Sequence, residues 1–227
     1  MPKIYNRIDL DRIVNIKEPE ISYVLGLIST DGCIKLQKPK KSKWLTSEIL
    51  QLDLSELDRQ ILEDYAKILG IDDRPIYIQN KKQASGVISK QVRLSVCQSG
   101  IKEAFSKWGI TPNKTFDLKY PKNIPFESHF MRGVFDGDGS IFTTKQNKHI
   151  ASFCGSSKNF MKGVEKLLIN IGTNPHLKSY TEGYNEPHYD IRIHGKVSIE
   201  NLYNYLYKDC TICLERKKKR FDKILGT

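Results

Sequence analysis

One short segment occurs twice in this chain of 227 residues. Residues 23–34 read Tyr-Val-Leu-Gly-Leu-Ile-Ser-Thr-Asp-Gly-Cys-Ile, and residues 130–141 read Phe-Met-Arg-Gly-Val-Phe-Asp-Gly-Asp-Gly-Ser-Ile. At a constant offset of 107, Gly26 falls on Gly133, Asp31 on Asp138, Gly32 on Gly139 and Ile34 on Ile141; upstream, Glu20 falls on Glu127. Each copy is an apolar, helix-like stretch that ends in Asp-Gly and runs into a strand-like segment. A single Asp-Gly after an apolar run is commonly a turn. Two copies with the same internal layout restrict the chain to two similar halves that share a core.

The residues of the repeat carry their own physical reading. Glycine inside a helix costs about 1 kcal/mol against alanine, so Gly26 and Gly133 require a reason, and close approach of two helices supplies it. Gly32 and Gly139 stand where each helix stops and are expected as left-handed caps. Asp31 and Asp138 then lie at helix C-termini, where the macrodipole disfavours negative charge. If the helices cross at their glycines, the two carboxylates meet at one end. Divalent cations would relieve that arrangement, which suits two-metal hydrolysis of a phosphodiester.

Composition narrows the partner. Net charge is +11 with a pI near 9.3, which points to a polyanion, nucleic acid first and an anionic membrane second. Hydrophobic content of 39% fits a folded chain rather than a disordered one. No apolar run approaches the roughly 18 residues of a transmembrane helix, and the start, Met-Pro-Lys-Ile-Tyr-Asn-Arg, lacks a signal-peptide core. An intracellular location is expected, in cytoplasm, nucleoid or an organelle matrix. The five cysteines (33, 97, 154, 210 and 213) read as reduced. Cys210-Thr-Ile-Cys213 has neither a second pair nor nearby histidines, which argues against zinc.

Both halves read as the same series, helix–strand–strand–helix–strand–strand–helix, after an N-terminal extension (1–17). The first half spans 18–120 and the second 121–227, the latter with a basic C-terminal segment. In half one, Glu18-Pro19-Glu20 opens a helix. Strands follow at Ile34/Leu36 and Leu50/Leu52/Leu54, then an amphipathic helix from Ser55 to Leu69 stopped by Gly70. Strands at Ile76/Ile78 and Val92/Leu94/Val96 and a helix over 101–108 complete the half. In half two, strands are expected over 140–146 and 149–154 and a helix over 157–171 stopped by Gly172. A hairpin over 175–194, turning at 183–187, and a helix over 196–207 follow. Half one has five extra residues between motif and helix end, most naturally in the basic loop 38–43. Phe221, Ile224 and Leu225 suggest a last helix docked by one side. Trp44 and Trp108 are expected to pack in core or loop.

The strands should form antiparallel sheets with one apolar and one polar face. The polar face of half one, with its adjoining loop, would offer Lys35, Gln37, Lys38, Lys40, Lys41, Lys43, Gln51, Tyr77, Gln79, Lys81 and Arg93. That of half two would offer Thr143, Lys145, His176, Lys178, Tyr180 and Arg192. Long hydrogen-bonding side chains of these types read base edges in the major groove. A solvated strand face is the alternative for any one of them; charge and repeat together favour DNA.

The two segments resemble the signature of the LAGLIDADG homing endonucleases, in the form that carries both motifs in one polypeptide. Taking the nine signature positions as 24–32 and 131–139, Leu25 and Arg132 stand at the first Ala. Ser29 replaces the first Asp while Asp136 keeps it, and Thr30 and Gly137 stand at the second Ala. The last acidic position is intact in both copies. The resemblance implies an α+β fold of two pseudo-symmetric αββαββα halves, whose saddle-shaped sheets grip a DNA duplex. It implies a monomeric, Mg2+-dependent endonuclease that cuts both strands of a long, asymmetric site and leaves short 3′ overhangs. Asp31 and Asp138 would hold two or more cations with the carbonyls of Thr30 and Gly137. Lys114 resembles the basic residue the family carries ahead of the second motif, and Lys217, with Arg216 next to it, is the matching choice in half two.

Other readings stay open at the level of sequence. Some relatives act in RNA splicing as maturases, with intron RNA as partner, and others are DNA-binding regulators that have lost cleavage. A basic module without catalysis would explain the charge but not the repeated Asp-Gly. The ends, Met-Pro and Leu-Gly-Thr, are not intein-like, which suits a free-standing or intron-encoded enzyme.

Overall fold

The computed structural model describes residues 3–38, 46–82, 86–181 and 186–226. Lys40, Lys41, Lys43, Trp44 and residues 183–185 of the expected hairpin turn lie outside that set. A short helix, α1 (Leu10–Val14), precedes the repeat. The first half then runs α2 (Pro19–Thr30), β1 (Gly32–Gln37), β2 (Ser47–Ser55), α3 (Arg59–Ile68), β3 (Tyr77–Lys82), β4 (Ile88–Cys97) and α4 (Ile101–Ser106). The second runs α5 (Glu127–Asp138), β5 (Gly139–Thr143), β6 (His149–Gly155), α6 (Lys158–Asn170), β7 (Pro175–Tyr180), β8 (His188–His194) and α7 (Lys196–Tyr207). A further helix, α8 (Glu215–Leu225), follows.

Each half has the order αββαββα, and each forms a four-stranded antiparallel sheet, β1-β2-β4-β3 and β5-β6-β8-β7. Helices α3 and α4 pack on the first sheet and α6 and α7 on the second. Ile34, Leu50, Leu52, Leu54, Val92, Leu94 and Val96 point inward from one sheet, and Ile141, Ala151, Phe153, Ile191 and Ile193 from the other. All belong to one contiguous core that includes both α2 and α5. β2 begins sixteen residues after Asp31 and β6 eleven after Asp138, so all five extra residues of half one precede β2.

The halves join through α2 and α5, which lie side by side in the same direction. A Cβ on Gly26 would run into the main-chain oxygen of Phe130 and lie 2.9 Å from the Val134 nitrogen. A Cβ on Gly133 would meet the Tyr23 oxygen in the same way, 2.8 Å from the Leu27 nitrogen. Tyr23 and Phe130 are themselves matched positions, so the contact is symmetric: each glycine admits the other helix's backbone. Ser22 Oγ adds a hydrogen bond to the Pro125 carbonyl at 2.6 Å.

The cap expectation for Gly32 and Gly139 is corrected. Neither has a positive φ; Gly139 is extended (φ −84°, ψ 156°), and both are the first residues of strands. Their glycine character has a different cause. The strand leaves the helix end so sharply that a Cβ at Gly32 would lie 2.8 Å from the Ile28 Cα, and one at Gly139 2.5 Å from the Phe135 oxygen. Gly70 and Gly172 do terminate α3 and α6 with φ of 67° and 78°.

Residues ahead of Pro19 dock on half one instead of trailing from it. Trp108 Nε1 donates to the Ile13 carbonyl at 2.7 Å, and Gln98 and the Ile8 backbone exchange two bonds at 2.9 Å. At the other end, Phe221 of α8 is fully buried against Phe135, Tyr203 and Tyr207. Among the described residues no helix is long and apolar enough to cross a membrane.

Candidate active site

Register decides which side chains share the outer face of each sheet. In half one, Lys35, Gln37, Gln51, Tyr77, Gln79, Lys81 and Arg93 all fall on the face away from the core, since cross-strand partners share a side. Lys38 follows β1 and is exposed. In half two, His176, Lys178, Tyr180 and Arg192 share the outer face. Thr143 and Lys145 do not. Thr143 has the parity of buried Ile141 and bonds His149 Nδ1 at the strand end at 2.8 Å; Lys145 lies past the strand, in the turn to β6. The outer face there is carried by Ser140 and Phe142 in β5 instead. Apolar Phe142 hid the alternation, because β5 has an apolar residue on each side.

The same face holds groups that composition did not single out. Asp53 takes both guanidinium arms of Arg93 at 2.7 and 2.6 Å and also faces Gln51 Nε2. Asp190 pairs with Arg192 at 2.7 Å. His188 and His194 share the outer parity of half two with His176.

At the C-terminal ends of α2 and α5 four charged residues converge. Asp31 caps α2 and Asp138 is the last residue of α5. The helix ends are in contact: a Cβ on Gly137 would collide with Thr30 and lie 2.8 Å from Asp31 Oδ2. Lys114 Nζ donates to the Gly32 carbonyl at 2.7 Å. Lys217 Nζ donates to the carbonyls of Phe135, Asp136 and Gly139 at 2.7, 2.6 and 2.6 Å and lies 3.1 Å from that of Gly137. Gly32 and Gly139 are matched positions, so the lysines are matched too: each ammonium sits against the negative end of a motif helix. Arg216 is not the matching base. It turns away to form a two-bond pair with buried Asp58 of half one, both at 2.7 Å.

The electrostatics follow from this crowding. Burial, then the facing Asp138, pushes the Asp31 carboxyl up to about 7, against the pull of Lys217 and Lys114. Burial likewise raises Asp138, opposed by Lys114, Lys217 and His188. Both lysines move the other way. Burial lowers Lys114, with Asp138 the first carboxylate to oppose it, and lowers Lys217 to about 8, opposed first by Asp136. A cavity of about 230 Å³ opens beside these groups, lined by Thr30, Lys114, Asp138, Cys154 and His188 among others.

A divalent cation fits this donor set in kind. Two carboxylates and main-chain oxygens are hard ligands, and two like charges held together in partial burial gain from a counter-charge. Among the described residues no three His, Cys, Asp or Glu cluster around a common point. The protein therefore offers two carboxylates, and further oxygens would come from carbonyls, water or a substrate phosphate, a pattern usual for Mg2+. The Gly137 carbonyl, expected as a ligand, makes the longest of the four Lys217 contacts, and the three N–H groups of that ammonium are matched by the three shorter ones.

Comparison with known proteins fits the geometry. A LAGLIDADG-like domain matches residues 125–207. Structures of the meganucleases I-AabMI and I-SmaMI on DNA share the architecture across both halves. I-AabMI superposes with a TM-score of 0.61, 15% identity and 92% and 90% of the two chains covered. I-SmaMI on uncleaveable DNA gives 0.59, 16%, and 90% and 88%. The chain has the single-chain LAGLIDADG fold. An uncharacterised protein of Methanocaldococcus jannaschii is 22% identical over 91% of this chain and 72% of its own length.

Within the LAGLIDADG motif, Arg132, which departs from the signature, and Asp136, which keeps it, have structural roles that the sequence did not suggest. Arg132 does not wedge the motif helices apart. Its buried guanidinium lies over the Tyr23 ring, 5.7 Å from the centroid, and donates to the Ile212 and Leu206 carbonyls at 2.8 and 2.7 Å. Asp136 Oδ2 accepts the Leu214 backbone N–H at 2.7 Å and the Tyr23 hydroxyl at 2.9 Å. Their shared spacing of four on one helix was the only sequence signal for a common target.

Proposed function

We propose that this chain is a site-specific DNA endonuclease making metal-dependent double-strand breaks, with short 3′ overhangs, at a long asymmetric target. The observation that carries the reading is the meeting of Asp31 and Asp138 at the ends of α2 and α5 with Lys114 and Lys217 beside them. The halves 18–120 and 121–227 would each contribute one reading face and one carboxylate. Asp31 and Asp138, with the carbonyls of Thr30 and Gly137, would hold Mg2+. Bound there, divalent cations supply the positive charge that activates water and stabilises a leaving oxygen. I-SmaMI with an uncleaved DNA target in the presence of calcium ions supports a divalent ion at such a site.

The protein groups do the rest. Lys114 and Lys217 add preorganised positive charge where the phosphate becomes more negative. The outer faces, with Lys35, Gln37, Gln51, Tyr77, Gln79, Lys81 and Arg93 on one sheet and His176, Lys178, Tyr180 and Arg192 on the other, would lie along the duplex and read base edges. Double-stranded DNA is the partner and the protein acts as a monomer, since both carboxylates come from one chain.

The test is cleavage of a randomised-site DNA library with Mg2+ and with a chelator. Double-strand cuts at a defined sequence, absent with chelator, are the expected result. Selective binding with no cut in any divalent ion would replace the reading with that of a non-cleaving regulator. The face makes a second prediction. Asp53 neutralises Arg93, so Asp53→Asn should free one cation for phosphate. The slope of log K against log salt for DNA binding should steepen by about 0.9, measured by fluorescence anisotropy across a salt series.

A further inference from the structure

The two basic residues at the site are held in unequal ways. Lys114 lies in the connection between α4 and α5, just after Asn113 at φ 59°, and among the described residues its ammonium has one hydrogen bond, to Gly32. Lys217 lies in the first turn of α8, and that turn is tied down from α5. Asp136 Oδ2 accepts the N–H of Leu214, the N-cap of α8, whose own carbonyl accepts from the backbone nitrogens of Lys217 and Lys218. Arg132 grips the segment between α7 and α8 at both ends, through Leu206 and Ile212, and its third nitrogen meets His129 Nδ1 at 2.6 Å. At the matched positions α2 has Leu25 and Ser29. Leu25 is apolar and buried, and Ser29 Oγ turns back to the Leu25 carbonyl of its own helix. Among the described residues, no hydrogen bond runs from those two positions of α2 to the connection that carries Lys114.

We propose that Asp136 and Arg132 are positioning residues that preset Lys217 against the carbonyls ending α5, giving one of the two strand-cutting centres a rigid basic group that the other lacks. The inference rests on the endonuclease reading for its consequence, but its structural half stands apart from activity. The path is short and made of direct contacts: carboxylate to Leu214 N–H, Leu214 carbonyl to the Lys217 backbone, and Lys217 Nζ back to α5. Loosening its first link frees the ammonium without altering either site carboxylate.

The experiment has two readouts. The first is modification of individual lysines by an amine-reactive acylating reagent, followed by mass spectrometry on the whole chain without DNA. Asp136→Ala should raise modification of Lys217 about tenfold or more while Lys114 stays as in wild type. Asp136→Asn, which keeps an oxygen acceptor for Leu214 N–H, should restore protection. The second is strand-resolved single-turnover cleavage. Asp136→Ala should slow one strand by about 10–100-fold, leave the other within about twofold, accumulate nicked duplex and leave DNA affinity unchanged. Thermal melting checks that each variant is folded. Should Asp136→Ala fail to fold, Arg132→Leu, the residue type of the matched position in α2, gives the same pair of readouts. Unchanged protection of Lys217 overturns the proposal, and so does equal slowing of both strands. If wild type cuts neither strand, the endonuclease reading falls and the lysine reactivities alone decide the positioning role.

Discussion

Alanine at Gly26 or Gly133 is expected to prevent the chain from reaching its fold. The added carbon at either place meets main-chain atoms of the opposite helix, the Phe130 oxygen and Val134 nitrogen or the Tyr23 oxygen and Leu27 nitrogen. Backbone cannot swing aside as a side chain does, so α2 and α5 would have to separate. Among the described residues these helices contact each other more extensively than any other helical pair, and they belong to the core shared by both sheets. Separation opens a void along that core and moves the hydrogen bond from Tyr23 to Asp136. A loss above about 4 kcal/mol, in the range reserved for gross core disruption, is the expected size. Gly70→Ala is the control. Among the described residues nothing lies within 4 Å of that position, and its φ of 67° makes alanine cost only about 1–2 kcal/mol. Urea melts of the three variants compare them, and a Gly26→Ala protein as stable as the Gly70→Ala one would refute the backbone contact.

Asp31→Asn and Asp138→Asn should behave in the opposite manner, losing function while gaining stability. Each change removes one of the two carboxylates, and cleavage should fall by roughly a thousandfold or more, about 4 kcal/mol of barrier. Both strands should suffer, because the carboxylates face one another across the helix pair. In metal-free buffer the variants should melt higher than wild type, since burial raises both acids and the facing Asp138 raises Asp31 further. The pH dependence has a definite sign. An acid whose folded pKa stands above its unfolded value favours the fold while protonated, and that contribution fades as pH rises through the folded pKa. For Asp31 the window runs from its ordinary 3.8 to about 7. The melting advantage of Asp31→Asn should therefore grow between pH 4 and 7 and then level off. Divalent cation should raise the wild-type melting temperature and narrow the gap, by mass action on the folded state. A metal-free advantage that shrinks with rising pH would contradict the repulsion.

Much of the fold could be read along the chain because the helix and strand periods are undisturbed there. Alternating leucines mark β2, glycines with positive φ end α3 and α6, and the repeat offset aligns α2 with α5. Features set by tertiary contact were less visible. α1 is five residues long, too short to show a period, and is held by Trp108 and by its own Asp9 cap. The parity of β5 was misread at Thr143 because Phe142 faces outward against Ile150. Gly32 and Gly139 looked like helix caps because a glycine forbidden a Cβ by its own helix and one with a left-handed backbone look alike in sequence. At the candidate site, the pairing of Asp31 with Asp138 follows from the offset. The choice between Arg216 and Lys217 does not, since adjacent basic residues differ only in which side of α8 they occupy. Asp136 and Arg132 could not be assigned a target before α8 had a place in the fold.

The glycine contact between the two halves has a consequence for how such a protein can change. Where Gly26 meets Gly133, the spacing of the two motif helices is set by backbone against backbone, with no side chain at that crossing to grow, shrink or repack. The outer faces of the sheets, by contrast, are built wholly of replaceable side chains on strands remote from that joint. The outer faces can drift residue by residue, while the ruler that spaces the two carboxylates keeps one length.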